Sequence, residues 1–136
     1  MDIQTHLELI KKSCQFQGRH YSSYVDEALE LKRRGLDSKL ETLLIHLIEA
    51  TEAEDRISRY GVAPWYYEEL AKLYRRKKDY LSETMILVRY ADHQLGRKPF
   101  TKTPILLKRL ERAKYLLERS EIVSETDKKH KGVSHK

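Results

Sequence analysis

The sequence is short of the residues that several protein classes need. Of its 136 residues, one is cysteine, five are glycine and three are proline. A single cysteine excludes an internal disulfide and a zinc site built from several cysteines. The glycines and prolines are too few for a β-sandwich or β-barrel, in which the chain makes a turn roughly every 8–12 residues. No apolar run approaches the roughly 20 residues that span a bilayer, and no secretory leader is visible, so we expect a soluble, cytoplasmic protein without a membrane partner.

The composition that is present suits one small domain. Hydrophobic residues make up 40% of the chain and charged residues 35%, enough for a modest core beneath a heavily solvated surface. The formal net charge is +6, and it is uneven: −2 over residues 1–63, +7 over 64–119 and +1 over 120–136. The basic region can attract nucleic acid or an acidic protein surface, although solvated helix faces give the same count.

Apolar residues recur at three- and four-residue spacing along most of the chain, which is the helical period, and no segment reads as a strand. We therefore predict an all-α fold of five or six antiparallel helices, stacked as helical hairpins with a capping C-terminal helix. The single domain, residues 1–119, would comprise an N-terminal helix, a first hairpin, a second hairpin and the capping helix, at 1–17, 21–60, 64–95 and 103–119. Residues 120–136 are polar and lack periodicity, which predicts a disordered tail.

Local signals predict several helix ends. Gly35 suits a left-handed position after a helix, Pro64 suits the first turn of one, and Asp79 suits an N-cap. Either Asp37 or Ser38 would cap the helix that follows Gly35. In the helix after Asp79, the side chains expected to face inward are Tyr80, Thr84, Leu87, Val88 and Ala91.

Two segments repeat a helix–turn–helix pattern, with Ala28 and Ala71 where paired helices would approach closely. Four residues of the second segment are spaced as W-x2-L-G-x2-Y: Tyr67, Leu70, Ala71 and Tyr74. This segment resembles the tetratricopeptide repeat, with residues 64–91 as the better match. Glu83 departs from the pattern, because alanine is usual there, and the two alanines lie 43 residues apart rather than about 34. The resemblance implies a superhelical scaffold that holds a partner segment in a concave groove, and it implies no catalysis.

Aromatic and basic residues are the candidates for binding such a partner. Exposed aromatic side chains are typical anchors, because they bury a large area at little cost in entropy. Trp65, Tyr66 and Tyr67 are consecutive and cannot share one helix face, so at least one should be partly exposed or cover the loop before Pro64. The predicted partner-binding residues are Trp65, Tyr66, Tyr67, Tyr74, Arg75, Arg76, Arg89 and Arg112.

A basic accessory protein that associates with nucleic acid is the alternative function. Lysines and arginines gathered over residues 75–112 could neutralise several phosphates, and binding would then fall steeply with salt. The predicted phosphate-binding residues are Lys77, Lys78, Lys108 and Arg109. Helix ends matched to the helix dipole and ordinary surface lysines would account for the same residues without a ligand.

Neither catalysis nor a bound metal or other cofactor is predicted. The six histidines form no His-x3-His or Glu-x2-His pair, although His46 and Glu49 share a helix face. Cys14 lies on a helical stripe, where it would pack as a small apolar residue. The carboxylates clustered in the third helix would form a solvated face or pair with the basic region: Glu49, Glu52, Glu54 and Asp55. The expected partner is another protein or peptide segment, and a homodimer is the alternative, because two repeats leave apolar end faces.

Overall fold

The computed structural model describes the backbone of residues 2–134 and the side chains of residues 2–123. Within this part the chain forms six α-helices, a short 3-10 helix and one two-stranded sheet. The α-helices are α1 (Ile3–Ser13), α2 (Val25–Arg33), α3 (Asp37–Ser58), α4 (Pro64–Arg76), α5 (Tyr80–Gln94) and α6 (Thr103–Ser134). The prediction of an all-α fold is confirmed. Over the described ranges, no helix combines the length and apolarity needed to cross a bilayer.

A β-hairpin follows α1, where the sequence predicts helix as far as residue 17. Strand β1 (Gln15–Phe16) pairs antiparallel with β2 (Arg19–His20). The turn residues Gln17 and Gly18 have φ values of 51° and 78°, and positive values at both positions are typical of a two-residue hairpin turn. Strands of two residues are too short to show alternation, which is why the apolar spacing did not predict them.

From α2 onward, consecutive helices pack against each other along the chain. The contacts join α2 to α3, α3 to α4, α4 to α5 and α5 to α6, while α1 packs on α3. The 3-10 helix (Tyr21–Tyr24) leads from the hairpin into α2, and its Tyr24 hydroxyl donates a 2.6 Å hydrogen bond to the Phe16 carbonyl. Helix α4 also contacts α6 and therefore lies at the centre of the arrangement.

Most of the predicted helix signals are confirmed. Gly35 has a φ of 69°, Pro64 occupies the first turn of α4, and the Asp79 carboxylate accepts a 3.1 Å hydrogen bond from Ser82 N–H. Helix α3 differs, because it starts at Asp37 without a side-chain cap. Asp37 instead lies in the first turn, where its charge suits the helix dipole.

Helix α6 is longer than predicted. It continues to Ser134, beyond the predicted end of the capping helix at residue 119 and through most of the predicted tail, 120–136. Residues 105–131 contain no glycine or proline and are rich in good helix formers, so nothing in the sequence stops the helix there. The backbone of residues 135–136 and the side chains from residue 124 onward lie outside the described part.

The core lies among α2, α3, α4, α5 and α6. Ala28 and Ala71 are buried, as expected of small residues at close helix contacts. The core face of α5 differs from the predicted one, since Leu87 is buried but Val88 is exposed. The residues that α5 buries are Glu83, Ile86, Leu87, Tyr90 and Gln94. Helix α5 is therefore rotated about its axis relative to the prediction, and this orientation places the Glu83 carboxylate in the core.

Candidate functional site

Five carboxylates are buried where helices meet, and each faces a cation from another helix or loop. The pairs and their N···O distances are Arg89–Glu52 (2.6 Å), Arg97–Asp55 (2.9 Å), Lys102–Glu68 (3.1 Å), Lys32–Glu69 (3.0 Å) and Arg75–Glu83 (2.7 Å). Two residues of the acidic cluster predicted on α3, Glu52 and Asp55, therefore pair with the basic region instead of forming a solvated face. Much of the basic charge between residues 64 and 119 is neutralised within the fold.

Glu52 has the densest set of partners. Arg89 donates to both of its oxygens, and the Tyr67 hydroxyl donates to Oε2 at 2.7 Å. His93 Nε2 lies 3.3 Å from the same oxygen. Burial acts to raise the pKa of Glu52, but the hydrogen bonds from Arg89 and Tyr67 outweigh it and hold the pKa below its ordinary value. Glu52 is therefore a charged structural group linking α3, α4 and α5.

Two of the predicted aromatic anchors lie in the core. Tyr66 and Tyr67 are buried, and their hydroxyls donate to the Tyr21 carbonyl and to Glu52. Burial raises the pKa of both tyrosines above the ordinary value. The prediction that they meet a partner at the surface is corrected, because α4 is covered by α3, α5 and α6. Trp65 is half-buried, with its ring edge-on to Tyr66 at 5.1 Å between centroids.

Tyr74 and Arg89, two other predicted partner-binding residues, line one surface groove of about 230 Å³. The groove lies between α3, α4 and α5. Its remaining walls are mostly apolar: Ile45, Leu70, Ser82, Met85 and Ile86. The structure thus brings together one tyrosine and one arginine of the predicted set, beside apolar surface.

An apolar stripe runs along the outer face of α5 beside this groove. Leu81, Met85 and Val88 are 55%, 62% and 38% exposed. Their spacing of four and three residues places them on one helix face, opposite the buried Leu87 and Tyr90. We call these three residues the α5 stripe. A shallow depression of about 430 Å³ follows the same face as far as His93. The sequence did not single out the stripe, because α5 has apolar residues at helical spacing on two faces.

The other predicted basic residues are mostly engaged within the chain. Arg109 joins Arg75 at Glu83, with 3.3 Å between Arg109 Nη1 and the carboxylate. The remaining contacts are Arg76 with Asp37 (3.6 Å), Lys77 with Glu41 (3.8 Å), and Arg112 over the Tyr115 ring (5.0 Å to the centroid). Two of the predicted basic residues, Lys78 and Lys108, have no ion-pair partner among the side chains that the structure describes. Two of the four predicted phosphate-binding residues, Lys77 and Arg109, therefore already face a carboxylate.

Cys14, His20 and Glu54 converge beside the β-hairpin, a group that the sequence analysis did not predict. Each offers one ligand atom, and the three atoms lie within 4.8 Å of one another. Burial, and then the nearby charge of Glu54, raise the pKa of the Cys14 thiol above its ordinary value. Because Cys14 follows α1, His20 lies in β2 and Glu54 lies in α3, no short sequence motif indicates them.

Comparison of the chain with protein-family models, curated protein sequences and solved structures finds no match. The resemblance to the tetratricopeptide repeat stays a prediction, based on the spacing from Tyr67 to Tyr74.

Proposed function

We propose that this protein is an interaction module that binds a helical segment of another protein along the α5 stripe. The observation that carries the proposal is the stripe itself. Three large apolar side chains lie on one face of α5, directly opposite the residues that the helix buries. None of the side chains described, up to residue 123, covers that face, and contiguous exposed apolar surface commonly marks an interaction site.

The stripe needs the adjoining groove to make a stable interface. Full burial of an exposed Leu, Met or Val is worth about 1.5–3 kcal/mol, so the half-exposed stripe contributes roughly 3 kcal/mol. Association alone costs more than this in lost translational and rotational freedom. Tyr74 and Arg89 in the groove would supply an aromatic contact and a fixed donor. A partner helix covering both features therefore fits better than a single inserted side chain.

Charge indicates the chemistry of the partner. Three consecutive cations, Arg76, Lys77 and Lys78, precede the helix that carries the stripe, and each is partly or fully exposed. A segment with apolar residues at three- and four-residue spacing and an acidic end would match both features. A second copy would instead oppose a net charge of +6 with another +6. We therefore favour an acidic amphipathic helix of a different protein over a homodimer.

The nucleic-acid alternative has less support, because Arg75 and Arg109, two of the cations between residues 75 and 112, are held by a buried carboxylate. Both arginines contact the completely buried Glu83, at 2.7 Å and 3.3 Å. Each phosphate contact at these residues would compete with an existing buried ion pair. Nucleic acid remains an outcome that the experiment must be able to detect.

The test places a photo-crosslinking amino acid at position 85 of the full chain, in native lysate treated or not treated with nuclease. The cross-linked peptide is identified by mass spectrometry, synthesised, and titrated into the purified protein by calorimetry. The same titration uses Met85→Asp and the control Leu29→Asp. Leu29 is 45% exposed and lies on α2, away from the stripe. Leu29→Asp therefore introduces the same change in polarity at a different part of the surface.

We expect an acidic amphipathic peptide that binds the wild type and Leu29→Asp equally, and Met85→Asp at least about 10-fold more weakly. Equal loss with both variants would overturn the proposal. So would nuclease-sensitive capture, or cross-linking only to a second copy with a dimer seen in sedimentation.

A further inference from the structure

We propose that Cys14, His20 and Glu54 form a binding site for Zn²⁺. The site is independent of the α5 stripe, because it lies where the N-terminal helix and hairpin meet α3. Thiolate, imidazole and carboxylate are the three side-chain ligands that zinc takes in proteins. Thiolate also favours zinc over magnesium or calcium, which prefer oxygen alone.

The backbone brings the first two donors together. Cys14 follows the last residue of α1, and its carbonyl accepts a 2.8 Å hydrogen bond from Tyr21 N–H. The hairpin between them reverses the chain at Gln17 and Gly18, and Gln15 is paired with His20 across it. The five residues separating Cys14 from His20 are thus folded so that the two side chains share one end of the hairpin.

The third donor comes from α3 and is already held in place. The Tyr21 hydroxyl donates to Oε1 of Glu54 at 3.2 Å. The other oxygen, Oε2, faces His20 Nε2 at 3.7 Å. A tetrahedral zinc ion places neighbouring ligand atoms about 3.3–3.7 Å apart. The imidazole and carboxylate are therefore almost at ligand spacing, and all three ligand atoms lie within 4.8 Å of one another, so that zinc would draw them together over a short distance.

Ser22 is placed to orient the imidazole. The Ser22 N–H donates a 3.1 Å hydrogen bond to His20 Nδ1, and the Ser22 hydroxyl lies 2.7 Å from the same nitrogen. Because Nδ1 accepts from Ser22 N–H, the proton of the neutral imidazole lies on Nε2. Zinc binding at Nε2 moves this proton to Nδ1, which then donates to the Ser22 hydroxyl and gives up the bond from Ser22 N–H. A hydrogen-bonded second nitrogen is the usual arrangement for a zinc-bound histidine.

Charge and access also suit a divalent cation. Cys14 is 4% exposed, while the side chains of Glu54 and His20 are 23% and 45% exposed, so the site opens to water on one side. Binding forms a zinc–sulfur bond and releases the thiol proton to water. The resulting thiolate and the Glu54 carboxylate balance the charge of Zn²⁺, and a water molecule would complete four ligands.

The test uses the full reduced chain, titrated with Co²⁺ and Zn²⁺ in the presence of a non-thiol reductant. The chain has one cysteine, so a thiolate-to-cobalt charge-transfer band reports on Cys14 alone. We expect this band, together with the intense visible bands of tetrahedral cobalt, to saturate at one metal per chain. Zinc should displace the cobalt and raise the midpoint of thermal unfolding.

Variants separate a built site from adventitious binding. Cys14→Ser, His20→Gln and Glu54→Gln should each weaken zinc binding about 100-fold or more, and Ser22→Ala about 10-fold. The control is Glu49→Gln, the same substitution on the same helix, because the Glu49 side chain is 57% exposed and faces His46 rather than the Cys14 group. It should bind zinc like the wild type.

Absence of the charge-transfer band in the wild type would overturn the proposal without reference to any variant. Saturation at one metal per two chains, with a dimer in sedimentation, would also overturn it, since the thiolate ligands would then come from different molecules. Equal zinc affinity in Cys14→Ser and the wild type would have the same consequence.

Discussion

The guanidinium of Arg89 on α5 donates to both carboxylate oxygens of Glu52 on α3, at 2.7 Å and 2.6 Å. Glu52 is buried, whereas the Arg89 side chain is 39% exposed. The pair joins two helices that are not consecutive in the chain, and it leaves one cation at the edge of the groove beside Tyr74.

Arg89→Met should destabilise the fold, because it leaves the Glu52 charge buried without its main partner. We expect the free energy of unfolding to fall by about 2–3 kcal/mol, below the usual cost of breaking a fully buried pair because Arg89 is partly solvated. Adding Glu52→Gln should recover part of the loss. Urea unfolding measures this, with Arg33→Met as the control, since the Arg33–Glu30 pair is exposed. Equal effects of Arg33→Met and Arg89→Met would contradict the prediction.

Glu83→Ala should also destabilise the protein, although alanine is the residue that the tetratricopeptide pattern has at this position. Glu83 is completely buried and contacts Arg75 from α4 and Arg109 from α6. Removing it leaves two arginines without their acceptor, and we expect a loss of about 2–4 kcal/mol in urea unfolding. Glu111→Ala is the control, because Glu111 is exposed and its ion-pair partner among the described side chains is the half-exposed Lys114. A neutral or stabilising Glu83→Ala would argue for the repeat pattern over the ion pairs.

Gly61→Ala should cost more than an ordinary glycine substitution. Gly61 has a φ of 100°, and a Cβ there would meet the Gln94 side-chain oxygen and come within 3.0 Å of the Phe100 ring. Gln94 cannot move freely, since its side chain is buried and accepts a 2.9 Å hydrogen bond from Val62 N–H. Gly96→Ala is the matched control, with a φ of 77° and open space around the added carbon.

Both substitutions carry backbone strain, of about 1 kcal/mol, so the difference between them isolates the steric contact. We expect Gly61→Ala to lose a further 1–3 kcal/mol or so in the free energy of unfolding. Indistinguishable unfolding curves for the two variants would show that the loop adapts at no cost.

Buried tyrosines should make the protein sensitive to alkali. Burial raises the pKa of Tyr67 and Tyr90 above the ordinary value of 10.0. Below that value both states keep the phenolic proton. Above it the unfolded chain loses the proton and the folded chain retains it, so stability falls as the pH rises.

Phenolate absorbance should therefore rise in two phases, the second of which accompanies unfolding as the buried tyrosines lose their protons. Circular dichroism along the same titration identifies the second phase. Tyr90→Phe removes one buried ionisable group and should shift the alkaline transition to higher pH. It also removes the hydrogen bond to Thr103, and urea unfolding at neutral pH measures the stability lost with that bond. A single smooth titration of all nine tyrosines with the fold intact would contradict the prediction.

The helices and several of their ends could be predicted from sequence because they depend on neighbouring residues. Gly35, Pro64 and Asp79 act within one turn of the chain, and each has the predicted place in the structure. The burial of Ala71 also follows from local spacing. The β-hairpin was missed, because two-residue strands leave no periodic signal.

The face of α5 could not be predicted, for a physical reason. Its core side includes Glu83, and a carboxylate normally indicates a solvent-facing position. Only the approach of Arg75 and Arg109 from two other helices makes its burial tolerable. The resulting orientation of α5 exposes Val88, which the sequence predicted to face inward, and so completes the stripe on which the proposed function rests.

By itself the sequence determined that this chain is helical and where many of its turns fall, since helical spacing and turn residues act over a few positions. The tertiary structure alone decided which carboxylates are buried, which face of α5 is free, and that Cys14, His20 and Glu54 meet. Those outcomes depend on distances between residues far apart in the chain, and such distances exist only once the helices have packed.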